Sequence, residues 1–123
     1  MKAKSTNKQA KSQPMQSSSL SPSQLKSRQN QLLVVDVRGW FEYFIGHIAG
    51  AQRYSRDRIL KEIPKDRAIA ITCLSGHRSD MAVQWLVTQG FSKVYSLKGG
   101  LLAWQSAEYE VHRGVALVHI YKK

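Results

Sequence analysis

Apolar positions along this chain fall into short runs of two kinds, some continuous and some spaced for one face of a helix. Gln31–Val37 (QLLVVDV) is almost unbroken, and Ala68–Thr72 (AIAIT) is short, apolar and partly β-branched. Runs of this length predict strands covered on both faces. Lys93–Ser96 predicts a further strand and Ala51–Tyr54 a shorter one. Between them the spacing changes. Ser55–Ile63 sets Ile59, Leu60 and Ile63 on one helical face and is stopped by Pro64. A helix from Ser79 to about Gln89 turns Met81, Ala82, Trp85 and Leu86 inward and ends at Gly90. Residues 21–29 predict a short helix with Ser21 as its cap, Pro22 in the first turn and Leu25 facing in. Arg38–Ile45 predicts one or two helical turns closed by Gly46, and Leu101–Ala107 a last helix behind Gly99-Gly100.

Strands that alternate with helices predict an α/β fold: a parallel sheet with helices on both faces. Ligands in such folds bind beyond the carboxyl ends of the strands. Asp36 and Cys73 both stand at such ends in this reading. The 123 residues suffice for one domain with tails.

Composition divides the chain unevenly. Residues 1–30 hold six of the 19 Lys/Arg and none of the 8 acidic residues, with many Ser and Gln and no apolar periodicity. Too little apolar surface is available there to offset the entropy of ordering, so residues 1–19 are expected to be a disordered basic tail. No apolar core follows the positive start, as a secretory signal requires, and no run approaches the ~20 apolar residues of a membrane span. A formal charge of +11 attracts anions at low salt. No zinc-ligand spacing, RNA-binding motif or aromatic-rich basic strand accompanies it, so no specific nucleic-acid partner is expected. The single cysteine allows no internal disulfide, which fits a reducing, cytoplasmic setting.

That cysteine carries the chemistry. Cys73 follows a strand, precedes a helix and opens the loop Cys73-Leu74-Ser75-Gly76-His77-Arg78. Backbone N–H groups and the dipole at a helix start favour an anion, and a thiolate is one. Arg78 and His77 add cationic residue types beside it, with Arg78 able to hold an anion two-pronged, Gly76 supplies backbone freedom, and Ser75 is auxiliary. A structural buried cysteine needs none of these neighbours. Other candidates are supporting. Asp36 reads as an organiser of the strand ends, accepting N–H bonds or pairing with an arginine. Arg38 and Glu42 read as a structural pair, and Trp85 and Trp104 as core. Histidines 47, 77, 112 and 119 lack paired ligand spacing, so neither a metal nor a cofactor is expected.

The ordered set Asp36-Val37-Arg38, Glu42, Gly46-His47-Ile48, Gly50-Ala51, Cys73 with Ser75-Gly76 and Arg78-Ser79, Gly90-Phe91, Gly99-Gly100 and Ala103-Trp104 resembles a single-domain rhodanese, a thiosulfate sulfurtransferase-like protein. The resemblance spans residues 20–108 and leaves a C-terminal extension, 109–123, in which Val111–Tyr121 predicts an edge strand or a docking strand. It implies a central parallel sheet of about five strands. It also implies that Cys73 carries a sulfane sulfur as a persulfide, cradled by the backbone from Leu74 to Ser79, with a structural hydrogen bond at His47. The implied partners are a small donor (thiosulfate, mercaptopyruvate or a persulfide) and a thiol or cyanide acceptor, with a sulfur-relay protein as a further candidate. Four residues separate Cys73 from Arg78. Related cysteine phosphatases carry a longer loop, and the smaller pocket suits one sulfur better than a tetrahedral phosphate. Leu74 stands where thiosulfate-using members often have a basic residue. Two other readings remain open on the residues: a non-enzymatic rhodanese-like regulatory or binding module, and a redox-sensing thiol protein.

Overall fold

A computed structural model describes residues 18–114. The expectations for residues 1–17 and 115–123 lie outside the described residues. In chain order the elements are β1 (Ser19–Leu20), α1 (Pro22–Arg28), a 3-10 turn at Gln29–Gln31, β2 (Leu33–Asp36), α2 (Trp40–Ile45), β3 (His47–Ile48), β4 (Gln52–Arg53), α3 (Arg56–Glu62), β5 (Ile69–Thr72), α4 (His77–Thr88), β6 (Val94–Leu97), α5 (Gly100–Ser106) and β7 (Val111–His112). The main sheet has the order β1-β6-β5-β2-β4, with every pairing parallel.

Alternation along the central strands sends successive side chains to opposite faces. Val34, Ala70 and Leu97 join Leu25, Leu101 and Trp104 in one core, beneath α1 and α5. Val35, Ile69, Ile71 and Val94 join Ile59, Ala82, Val83 and Leu86 in the other, beneath α3 and α4. The α/β architecture with helices on both faces is therefore as the hydrophobic pattern predicts.

Caps explain where the helices begin. Ser21 accepts the Gln24 N–H, Gln24 reaches back to the Ser21 N–H, and Pro22 fits the first turn. Ser55 caps α3 through the Arg58 N–H.

The differences from expectation are local. Helix α4 starts at His77, two residues early, because Gly76 takes the left-handed conformation (φ 104°) and turns the chain directly into the helix. Its inward face is Ser79, Ala82, Val83 and Leu86, the i, i+3, i+4, i+7 spacing. Met81 lies off that stripe and is exposed. Trp104 is buried as core, whereas Trp85 is half-buried with the Arg56 guanidinium 4.8 Å from its ring centre. Ser19–Leu20, at the junction between the expected tail and the expected domain, forms an edge strand against Ser96–Leu97. Val111–His112 pairs antiparallel with His47–Ile48 in a separate two-stranded sheet, not at the edge of the main one.

Candidate active site at the Cys73 loop

Adjacent strands β2 and β5 end level with one another: Asp36 pairs with Thr72, and Cys73 follows at once. Cys73 is 1 % exposed. The Gly76 and Ser79 amides donate to its Sγ at 3.2 and 3.3 Å, and the Ser79 hydroxyl stands 3.6 Å from it. These amides lie at the opening of α4, where N–H groups have no partner in the preceding turn. The first bond of the helix ladder runs from the Asp80 N–H to the Gly76 carbonyl, at 2.9 Å. The sulfur thus occupies the anion position of a helix start.

The loop's carbonyls are held from behind. Leu101 N–H donates to the Cys73 carbonyl at 2.9 Å and Leu102 N–H to the Leu74 carbonyl at 3.0 Å. The first turn of α5 therefore takes up the loop's acceptors, and its amides are left to face the sulfur side. This close approach requires Gly100, where φ is +61° and a Cβ would fall 2.5 Å from the Leu74 carbonyl oxygen and 2.6 Å from that of Cys73. Gly100→Ala is expected to lower stability by about 3 kcal/mol through strain and overpacking, and to widen the loop. Gly39→Ala is the control, because nothing lies within 4 Å of its would-be Cβ. Urea unfolding of the two variants measures the contrast. The sequence marks Gly99-Gly100 as a helix boundary and as part of the motif set, with no sign that it holds the cysteine loop.

Asp36, beside Thr72, and Glu42, bound to Arg78, are tied to this loop, and two of the expected side chains are partnered differently from expectation. Arg38 does not pair with Glu42. Its guanidinium binds the Asp36 carboxylate through Nε and Nη2 at 2.9 and 2.8 Å and also reaches the Gly46 carbonyl, all of it buried. Asp36 further accepts the Arg38 N–H at 3.0 Å. Glu42 instead takes Arg78, in a two-pronged pair with both distances 3.0 Å. Both residues flank a gap that chain order does not bridge, since they lie on α2 and α4. Glu42's hydrogen bonds hold the Arg78 guanidinium above its ordinary value, and those from Arg78 hold the Glu42 carboxyl below the usual carboxylate range. A carboxylate so depressed contributes stability above its unfolded-state value and loses it as pH falls through the folded one. The pair is about half exposed, so that contribution is small.

His47 is buried, its Nδ1 bonded to the Tyr43 carbonyl at 2.8 Å and its ring stacked on Tyr43 at 3.8 Å. Burial pushes the Tyr43 phenol up, and its hydroxyl donates to the Ala51 carbonyl at 2.6 Å. Leu74, Ser75 and His77 are exposed at the mouth of the loop. Trp40, Phe41, Phe44 and Ile45 of α2 are exposed as well, with the Arg53 guanidinium over the Trp40 ring.

Comparison with known proteins agrees with this layout. The rhodanese-like domain family matches residues 21–107. The thiosulfate sulfurtransferase GlpE of Pseudomonas fluorescens SBW25 is 38% identical over 82 residues, covering 64% of this chain and 75% of the relative. GlpE of Pseudomonas paraeruginosa PA7 is 34% identical over 91 residues, covering 71% and 83%. Among solved structures, the rhodanese-like domain of the Anabaena Alr3790 protein superposes with a TM-score of 0.72 at 30% identity, covering 79% of both chains. The thiosulfate sulfurtransferase of Pseudomonas aeruginosa shares the fold, with a TM-score of 0.72 at 19% identity, 80% of this chain and 21% of that one. The matched span runs from the cap of α1 to the end of α5 and takes in the whole cysteine loop, and so the chain belongs to the rhodanese-like domain family.

Proposed function

We propose that the protein is a sulfurtransferase of the rhodanese type, with Cys73 as the residue that accepts, carries and releases a sulfane sulfur. The observation that carries this reading is the pair of amides on Cys73 Sγ at the start of α4. The relatives named as thiosulfate sulfurtransferases support the same class.

The chemistry runs in two displacements. The Cys73 thiolate attacks the outer sulfur of the donor. A new S–S bond forms, the donor's own bond to that sulfur breaks, and its electron pair leaves with the departing group, which is sulfite when thiosulfate is the donor. A thiol or cyanide then attacks the outer sulfur of the persulfide and Cys73 leaves as thiolate. Each step moves negative charge along a line of sulfurs, and fixed N–H donors stabilise it without reorganising. The amides of Ser75, His77 and Arg78 bond no protein acceptor among the described residues, and they line the same turn.

Arg78 was expected to grip the donor anion two-pronged. Its fork is occupied by Glu42 instead. Anion binding in this reading therefore falls to the loop amides, with Arg78 closing the rim. With Leu74 rather than a cation at the mouth, donors of lower charge, mercaptopyruvate or a persulfide, are favoured over the thiosulfate dianion. The acceptor is a thiol, either small or on a sulfur-relay protein, and a reducing cytoplasm suits a lone carrier thiol.

Intact-mass measurement after incubation with each donor in the absence of reductant tests this. A gain of about 32 Da on Cys73, removed by cyanide as thiocyanate appears, is expected. A chain that takes no sulfur from thiosulfate, mercaptopyruvate or a persulfide would be a binding module. A peroxide-derived sulfenic acid in place of the sulfur adduct would make it a redox sensor.

A further inference from the structure

Behind the cysteine lies a row of buried hydroxyls that the sulfur chemistry above does not use. Ser79 and Ser96 are 0 % and 2 % exposed. Cys73 Sγ stands 3.6 Å from Ser79 Oγ, Ser79 Oγ stands 2.8 Å from Ser96 Oγ, and Ser96 Oγ stands 2.5 Å from Asp80 Oδ1. Asp80 is at the surface. The row thus joins a buried thiol to a solvent-exposed carboxylate.

Counting hydrogens sets its direction. A carboxylate only accepts, so Ser96 gives its one hydroxyl hydrogen to Asp80. The Ser96 oxygen is then an acceptor towards Ser79, which gives its own hydrogen to Ser96. The Gly76 carbonyl, 3.0 Å from the Ser79 hydroxyl, is a second acceptor for that hydrogen, but with the Ser96 hydrogen on Asp80 the 2.8 Å contact between the two serine oxygens needs the Ser79 hydrogen between them. Ser79 oxygen in turn faces the sulfur as an acceptor for the thiol S–H. Every group is satisfied with one polarity throughout.

We propose that this row is a proton relay, by which Asp80 takes the proton of the Cys73 thiol through Ser79 and Ser96. The inference rests on the reading of Cys73 as the sulfur carrier for its purpose, though not for its test. The step balances within the chain. The S–H proton passes to Ser79 oxygen, the former Ser79 proton passes to Ser96, and the former Ser96 proton passes to Asp80. Thiol and carboxylate become thiolate and carboxylic acid, with no change of total charge. The polarity of the row is then reversed. Asp80 donates to Ser96, Ser96 to Ser79, and Ser79 to the sulfur. The thiolate is left with three donors: the Gly76 and Ser79 amides and the Ser79 hydroxyl. When Asp80 returns the proton to water it is a carboxylate again, the Ser96 hydroxyl turns back to it, and the thiolate keeps the Gly76 and Ser79 amides. With Cys73 1 % exposed, the relay supplies a proton route on the side of the sulfur away from the loop mouth. Ser79 touches the reacting atom, while Ser96 and Asp80 act through it as positioning residues.

Other charges bear on the same region. Arg78 and His77 lie on the first turn of α4, Glu42 of α2 is bound to Arg78, the Asp36–Arg38 pair closes β2, and Lys98 follows β6. Among the described residues, none of these side chains bonds to either hydroxyl.

The test is the rate of Cys73 alkylation by iodoacetamide as a function of pH, followed by intact mass on the full chain. It needs no sulfur donor. The variants are Asp80→Asn, Ser96→Ala and the double substitution. Asp80→Asn keeps an oxygen for Ser96 to bond and removes the base, and Ser96→Ala cuts the row while leaving Ser79 on the sulfur. Each is expected to slow alkylation near neutral pH about tenfold. The double variant is expected to be no slower than either single one, since both interrupt one path. Profiles that superimpose on the parent protein's, or losses that multiply, would overturn the relay. Sulfur loading of the parent protein in the same samples keeps the two ideas separate. Failure to load sinks the carrier reading and leaves the alkylation profile standing.

Discussion

Cys73→Ser is expected to remove sulfur uptake altogether, a loss of about a thousandfold or more, while the fold persists. Oxygen cannot take the place of sulfur in a persulfide, and a serine hydroxyl is far less readily ionised than a thiol. The replacement nevertheless fits its surroundings. The Gly76 and Ser79 amides and the Ser79 hydroxyl converge on the side-chain position, so a hydroxyl oxygen finds partners there. The expected change in unfolding free energy is accordingly about 1 kcal/mol. Donor incubation followed by intact mass, beside a urea unfolding curve, separates the two effects. A Cys73→Ser protein that still passed sulfur to cyanide would place the chemistry elsewhere.

Asp36→Asn is expected to do the opposite, leaving the chemistry of the thiol untouched and weakening the fold by about 3–5 kcal/mol. Asp36 and Arg38 are both nearly inaccessible, at 1 % and 3 %. Removing one charge leaves the other buried without a counter-charge, which is the expensive way to break an ion pair. The pair also ties together chain segments that no regular element joins. Arg38 reaches the Gly46 carbonyl beyond α2, and its own carbonyl accepts Arg53 Nε at 2.7 Å from β4. Glu42→Gln breaks a pair of the same chemical type that is about half exposed, and is expected to lose no more than about 1 kcal/mol. Chemical unfolding of both variants near neutral pH compares them directly. Equal losses would mean that burial does not govern these two pairs.

The main frame was legible in the sequence because it rests on patterns with a period. Continuous apolar runs marked β2 and β5, and the capping residues Ser21 and Ser55 marked α1 and α3. The strand end also put Cys73 and Gly76 together, which is most of the cradle. What remained unread has no period. The two-residue strands β1, β3 and β7 are too short to show alternation. The partners of Arg38 and Arg78 depended on distances between elements, and Glu42 precedes Arg78 by 36 residues. Ser96 carried a signal that went unused: a hydroxyl between Tyr95 and Leu97 in a strand buried on both faces must bond to something inside. Met81 is outside the inward stripe because that stripe runs through the polar Ser79 and through Val83, so apolar side chains alone do not mark it.

The contacts on the sulfur are mostly main chain. The Gly76 and Ser79 amides donate to it, and the loop's shape is held by the α5 amides on the Cys73 and Leu74 carbonyls. Side chains at 74, 75 and 77 project from the mouth and support none of this. They are therefore free to be exchanged by mutation without disturbing either the thiol or the core. Under the proposed sulfur-transfer reading, donor preference can drift through substitutions at positions 74, 75 and 77 while Gly76, Gly100 and Cys73 hold the reaction itself fixed.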